Sequence, residues 1–86
     1  MFLGLYLISQ NKNIGYDTYD SAVVIAESEE EAQRLSPSSG KEMSEEDWRS
    51  TWSAWCNSPE QVKVELLGKA KKGSEKGLVC ASFNAG

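Results

Sequence analysis

The stretch Asp20–Leu35, DSAVVIAESEEEAQRL, decides the architecture. Ala22, Val23, Val24, Ile25 and Ala26 are apolar and partly β-branched, a strand by propensity and by length. Ser28 follows almost at once as a helix N-cap, and Glu31 three residues later completes a capping box. In that arrangement the hydroxyl accepts from a free helix N–H and the carboxylate accepts from the Ser28 N–H. Glu29, Glu30 and Glu31 also lie at the positive end of the helix dipole. The acidic triplet therefore has a structural role before any chemical one. Ala32 and Leu35 form the buried stripe of a helix over 29–35 of two to three turns at most. Pro37 stops it, because the residue before a proline is pushed out of helical geometry.

Upstream, FLGLYLIS (Phe2–Ser9) is apolar on both parities, with Phe2, Tyr6 and Ile8 on one face and Leu3, Leu5 and Leu7 on the other. That pattern belongs to a central strand covered on both sides. The connection QNKNIGYDTY (residues 10–19) holds Asn11, Asn13 and Gly15, which tolerate left-handed backbone. Its tip alternates aromatic and acid through Tyr16, Asp17, Tyr19 and Asp20, either capping the core end or forming a recognition loop. Two aspartates are too few oxygen ligands for calcium.

Downstream, Pro37–Gly40 reads as a loop, and Ser44 with Asp47 three residues on as a second N-cap. Trp48, Trp52 and Trp55 then fall at i, i+4 and i+7, which predicts a short helix over about 45–53. The competing reading is a strand with Trp48, Trp52, Ala54 and Cys56 on one side. In so small a protein two of the tryptophans are expected to roof the sheet. The third, beside Glu45, Glu46 and Asp47, would be a partner contact, since exposed tryptophan is enriched at binding hot spots. Ser58-Pro59 starts a single helical turn. Val62–Lys69 alternates as a half-buried strand, 70–76 is a lysine-bearing loop, and Leu78–Phe83 is the last strand.

The order β-β-α-(α)-β-β in an 86-residue chain leaves room for one domain. The expected fold is an α+β two-layer sandwich: a four-stranded, mainly antiparallel sheet with one or two short helices on one face. Two hairpins, first strand with second and third with fourth, give the sheet order 2-1-3-4. The second sheet face keeps apolar side chains, which a homodimer or a partner would cover.

Composition narrows function by exclusion. The chain has no histidine, so the usual general base near neutral pH and every Ser-His or Cys-His pair are missing. Its carboxylates sit in helix-start runs, and a carboxylate hydrolase would need two of them facing across a pocket. The expectation is a non-enzyme with no cofactor and no metal. Cys56 and Cys80 read as two reduced thiols, too few for a zinc site without carboxylate help. A net charge of −4 and a pI near 4.7 argue against direct nucleic-acid binding. The charge is uneven: two acidic clusters, Glu27–Glu31 and Glu42–Asp47, oppose Lys69, Lys71, Lys72 and Lys76, which predicts a bipolar molecule. Phe2–Ile8 lacks a basic n-region and a cleavage site, and no apolar run is long enough to span a bilayer, so a cytoplasmic protein is expected.

GYDTYDSAVVIAESEEEA (residues 15–32), WCNSPEQVKVELLG (residues 55–68) and LVCASFNAG (residues 78–86) together resemble small uncharacterised proteins encoded by bacteriophages and by prophage regions of bacterial genomes. No activity carries over from that resemblance. It implies a cytoplasmic accessory protein that binds and inhibits a bacterial host or defence protein. The contact would be Trp48, Trp52 and Trp55 with Glu45, Glu46 and Asp47. The alternative is an oligomer that sequesters a nucleotide-type ligand near Tyr16, Asp17, Tyr19, Lys69, Lys71 and Lys72.

Overall fold

The computed structural model describes residues 3–13, 15, 17–49 and 54–84. It is an α+β two-layer sandwich. Strands β1 (Gly4–Ser9), β2 (Thr18–Ala26), β3 (Lys63–Lys69) and β4 (Gly77–Asn84) form one antiparallel sheet. Helices α1 (Glu29–Gln33) and α2 (Glu45–Arg49) and a 3-10 turn at Pro59–Gln61 make up the second layer.

β1 and β2 alternate as strands with one dry face must. Tyr6 and Ile8 on β1 and Ala22, Val24 and Ala26 on β2 are buried, while Leu5, Leu7, Val23 and Ile25 are half-buried on the other side. The second layer supplies Ala32, Leu35, Trp48, Trp55, Cys56 and Val62 to the same core. Trp48 and Trp55 are the two large rings over a floor that includes two alanines, so volume missing from β2 is restored from the opposite layer. The expected roofing role of two tryptophans holds.

The sheet order is β3-β1-β2-β4, not 2-1-3-4. β1 is central as expected, but only one of its faces is covered, Leu5 and Leu7 being half-buried on the other, and the last two strands do not form a hairpin. Residues 70–76 carry the chain across the end of the sheet, and β4 pairs with β2 from Ile25↔Gly77 to Thr18↔Asn84. Loop length does not separate a hairpin from such a crossing, because β4 is antiparallel to its neighbour in both. The choice is made by contacts that join β4 and its approach to the β2 side. Leu78 packs on the core opposite Val24, the rings of Tyr19 and Phe83 meet in a tilted contact with centroids 4.8 Å apart, and Lys76 reaches Glu27 and Glu31 at the β2–α1 corner.

α1 is shorter than its sequence signal, whereas α2 is described as far as Arg49, and residues 50–53 of its expected span lie outside the described residues. α1 ends at Gln33 with Arg34 as its C-cap, before Pro37 acts. Leu35 leaves the helix to bridge Glu42, Met43 N–H donates to the Arg34 carbonyl and Ser36 N–H to that of Lys41, so 34–43 closes as a small hairpin. The α1 cap is a frame-shifted box. Ser28 Oγ accepts from Glu31 N–H at 3.1 Å, but the Glu31 carboxylate accepts from Glu27 N–H at 2.8 Å rather than from Ser28. α2 has the reciprocal form, with Asp47 N–H to Ser44 Oγ at 3.2 Å and Ser44 N–H to Asp47 Oδ2 at 3.0 Å.

Gly40 ties the small hairpin to β4. Its φ is +72°, and a Cβ there would lie 2.3 Å from the Leu78 amide nitrogen. Gly73 also has positive φ, +91°, but faces open space. Gly40→Ala should therefore cost well over the about 1–2 kcal/mol of left-handed strain, and Gly73→Ala only about that strain. Equal urea midpoints for the two variants would exclude the Gly40–Leu78 contact as a structural tie.

Candidate functional site

The segment Glu42–Arg49 is an exposed charged feature of the helical layer. Glu42, Glu45, Glu46, Asp47 and Arg49 face solvent, while Trp48 turns inward at 8 % exposure and Met43 packs half-buried against the core. The reason is local: the Ser44–Asp47 box fixes the first turn, and one turn of helix can bury only one position in the run EEDWR. Glu45 and Arg49 form an exposed i,i+4 pair at 3.7 Å, of little energetic weight.

This segment is a ridge between two hollows. On one side lies a cavity of about 430 Å³ with Tyr19, Met43 and Trp55 on its apolar wall and Lys41 and Asp47 among its charged groups. On the other lies a hollow of about 530 Å³ between Arg34, Trp48, Arg49 and Pro59. Glu42 and Met43 line both.

The wall of the first cavity is held by the β1–β2 connection. Gln10, 6 % exposed, uses its whole amide: Nε2 donates to the Asn13 and Tyr19 carbonyls, both at 2.8 Å, and Oε1 accepts from the Lys12 and Asn13 N–H groups. Asn13 Nδ2 then donates to the Trp55 carbonyl, and Tyr19 N–H to that of Ala54 at 2.8 Å. Asp17 stands exposed at φ +59°. The loop is thus organised by a buried glutamine, which polar composition alone does not reveal. Aspartates do not supply the framework.

Several expected site residues are placed differently. Trp48 and Trp55 are core residues, 8 % and 3 % exposed, and cannot offer their rings to a partner while the domain is folded. Trp52 and Tyr16 lie outside the described residues. Glu45, Glu46 and Asp47 are exposed where the sequence puts them. Tyr19 and the lysines do not share a site. Tyr19 flanks the end of the sheet where β1 finishes, whereas Lys69 pairs with Gly4 at its start and Lys71 and Lys72 lie beyond it. The six residues of β1 separate the two ends by roughly 17 Å.

The molecule is also not bipolar in the expected sense. Lys76 lies 3.1 Å from Glu31 and 3.7 Å from Glu27, so the lysine loop folds against the first acidic cluster. The second cluster, Glu42–Asp47, keeps its negative potential. Cys56 and Cys80 are both free thiols. Burial pushes the Cys56 thiol up from its ordinary value, which makes it a poor nucleophile. Cys80 is exposed on β4. Among the described residues no group of three Cys, Asp or Glu side chains is arranged to hold a metal, and no helix is long and apolar enough to cross a membrane.

The Glu31 carboxyl is held below its ordinary range first by the Glu27 N–H; burial opposes this, and the hydrogen bond and charge of Lys76 add smaller lowering effects. A carboxylate depressed in the folded state contributes stability above its unfolded pKa and loses it as pH falls through the folded one. The α1 corner should therefore weaken as pH drops below the ordinary glutamate range, about 4.3. Lys76 is raised, chiefly by its bond to Glu31, so its share is present below about pH 10.4 and lost above. Lys76→Met should remove the Lys76 share of the alkaline limb of a stability–pH curve and only soften the acid limb, because the Glu27 N–H still holds Glu31. Unchanged limbs in this variant would show that the contact contributes nothing.

No family model matches the chain, and neither a curated protein nor a solved structure matches it.

Proposed function

We propose that the chain is a non-enzymatic accessory binding protein of phage or prophage type, which engages and blocks a bacterial host or defence protein through the Glu42–Asp47 ridge. The observation that carries this reading is the exposure of four acids on one short segment whose neighbouring tryptophan is sunk in the core. Trp48 and Trp55 act as the footing of the surface, and the contact is made by Glu42, Glu45, Glu46 and Asp47. Such a ridge complements a basic groove, and the hollows on either side can seat side chains from the partner's rim. Charge complementarity of this kind speeds encounter and selects partners more than it adds affinity.

Glu45 and Glu46 make no contact that the fold needs, so their charge can be removed without touching the Ser44–Asp47 cap. A pull-down from bacterial lysate with the wild-type chain should retain a partner that high salt releases, and Glu45→Gln/Glu46→Gln should reduce that capture about tenfold or more. Capture indifferent to both salt and the double variant would reject the ridge as the contact.

A second reading rests on the cavity of about 430 Å³. Its volume falls within the range of small-molecule sites, and the half-buried Tyr19 and Met43 provide apolar surface suited to a flat ring. This moves the nucleotide-type alternative away from Lys69, Lys71 and Lys72. Glu42 and Asp47 on the same cavity disfavour phosphate. Nucleosides should then raise the melting temperature more than their triphosphates do, since a ligand bound to the native state must stabilise it. No shift with either at millimolar concentration removes this reading.

A further inference from the structure

The two edges of the sheet are built unlike each other. β3, on one edge, carries Lys63, Glu65 and Lys69 and a bulge at Leu67, between Leu5↔Gly68 and Tyr6↔Leu66. Charges and bulges are what natural sheets use to stop an edge from pairing with another chain. β4, on the other edge, reads GLVCASFN and has neither charge nor proline. Val79, Cys80, Ala81, Ser82 and Phe83 are all exposed, with Val79 at 52 % and Phe83 at 46 %. Its bulge, at Val79, lies near the start of the strand and leaves Cys80–Asn84 without a register break except at Asp20 of the facing strand. Among the described residues the only strand that pairs with β4 is β2.

We infer that the outer edge of β4 is a self-pairing surface, on which two copies of the chain join antiparallel β4 strands about a two-fold axis into one continuous eight-stranded sheet. The occupant is a second copy because an isologous contact sets each strand against itself. Any charge on it would meet a like charge near the axis. β4 is the strand that satisfies this condition, and β3, with a lysine at each end and a glutamate between, is less suited to it.

The pleat fixes the register. With the axis normal to the sheet, both helical layers stay on one side, and opposed residues must share a face. Ala81 lies opposite Ala22 on the core side, whereas Cys80 and Ser82 lie opposite Val23 and Ser21 on the other. Faces match when a residue meets its own copy, and Ala81 is central in the exposed run. Cys80 then faces the partner's Ser82, and the two Cys80 residues become diagonal neighbours about 7–8 Å apart on the open face. An edge pairing of this length sits at the low end of specific interfaces, about 1,200 Å² or less, so the dimer should be reversible. It leaves the Glu42–Asp47 ridge outside the strand pairing, and it stands whether or not that ridge binds a partner.

Light scattering over a dilution series tests this on the intact chain, combined with a short bismaleimide that spans the Cys80 diagonal. The expected result is a concentration-dependent mass approaching two chains and a covalent dimer that Cys80→Ser abolishes and Cys56→Ser preserves. Ala81→Lys, an exposed substitution whose fold is checked by circular dichroism, should raise the dimer dissociation constant about tenfold or more. Lys63→Ala on the opposite edge should leave it unchanged. A monomeric mass at every concentration overturns the inference. So does a dimer that survives Ala81→Lys or fails to cross-link through Cys80, since either places the interface elsewhere.

Discussion

One side of a four-stranded sheet has to be kept dry by two helices of five residues each. That constraint shapes the rest of the molecule. Helices so short cannot present a long apolar stripe, and α1 and α2 bury one residue apiece, Ala32 and Trp48. The remaining cover comes from irregular chain: Leu35 at the neck of the small hairpin, and Trp55, Cys56 and Val62 in the run towards β3. Concentrating bulk in tryptophan lets few positions do this. Irregular backbone near a core must also find partners for its polar groups. The Gln10 amide, the Asn13 link to Trp55 and the Tyr19 bond to Ala54 are such partners.

The same economy explains where charge is free. Near α1, acids are used locally: Glu31 caps the Glu27 amide and holds Lys76. Near α2, only Asp47 has a capping task, and Glu45 and Glu46 are left with water and an exposed arginine. Two clusters that look alike as strings of letters thus differ in what remains available to a partner. The difference arises because the crossing connection brings Lys76 to one of them.

Much of the architecture was legible from local pattern. The alternation of Ala22–Ala26, the N-caps at Ser28 and Ser44, and the two-sided strand Gly4–Ser9 each follow from short-range rules, and the sandwich follows from them. What was not legible depends on contacts between distant segments. The position of β4 turns on Lys76, Phe83 and Gly40, none of which marks its partner in sequence. The early end of α1 reflects competition from the Leu35–Glu42 bridge, which outweighs helix propensity over one turn. At the candidate site, exposure of Glu45 and Glu46 was readable from the cap. The burial of Trp48 and Trp55 was readable only as an expectation for two of three rings, because periodicity does not say which face of a one-turn helix meets the sheet.

The crossing at 70–76 also bears on how the fold is reached. Val24 pairs with Leu78 and Thr18 with Asn84, so β2 acquires its second neighbour only when chain from opposite halves of the domain meets. Pairings with such sequence separation carry a large loop-closure cost and slow the search for the native state. The β2–β4 edge therefore raises the contact order of the domain, and its least protected edge is also a source of slow folding.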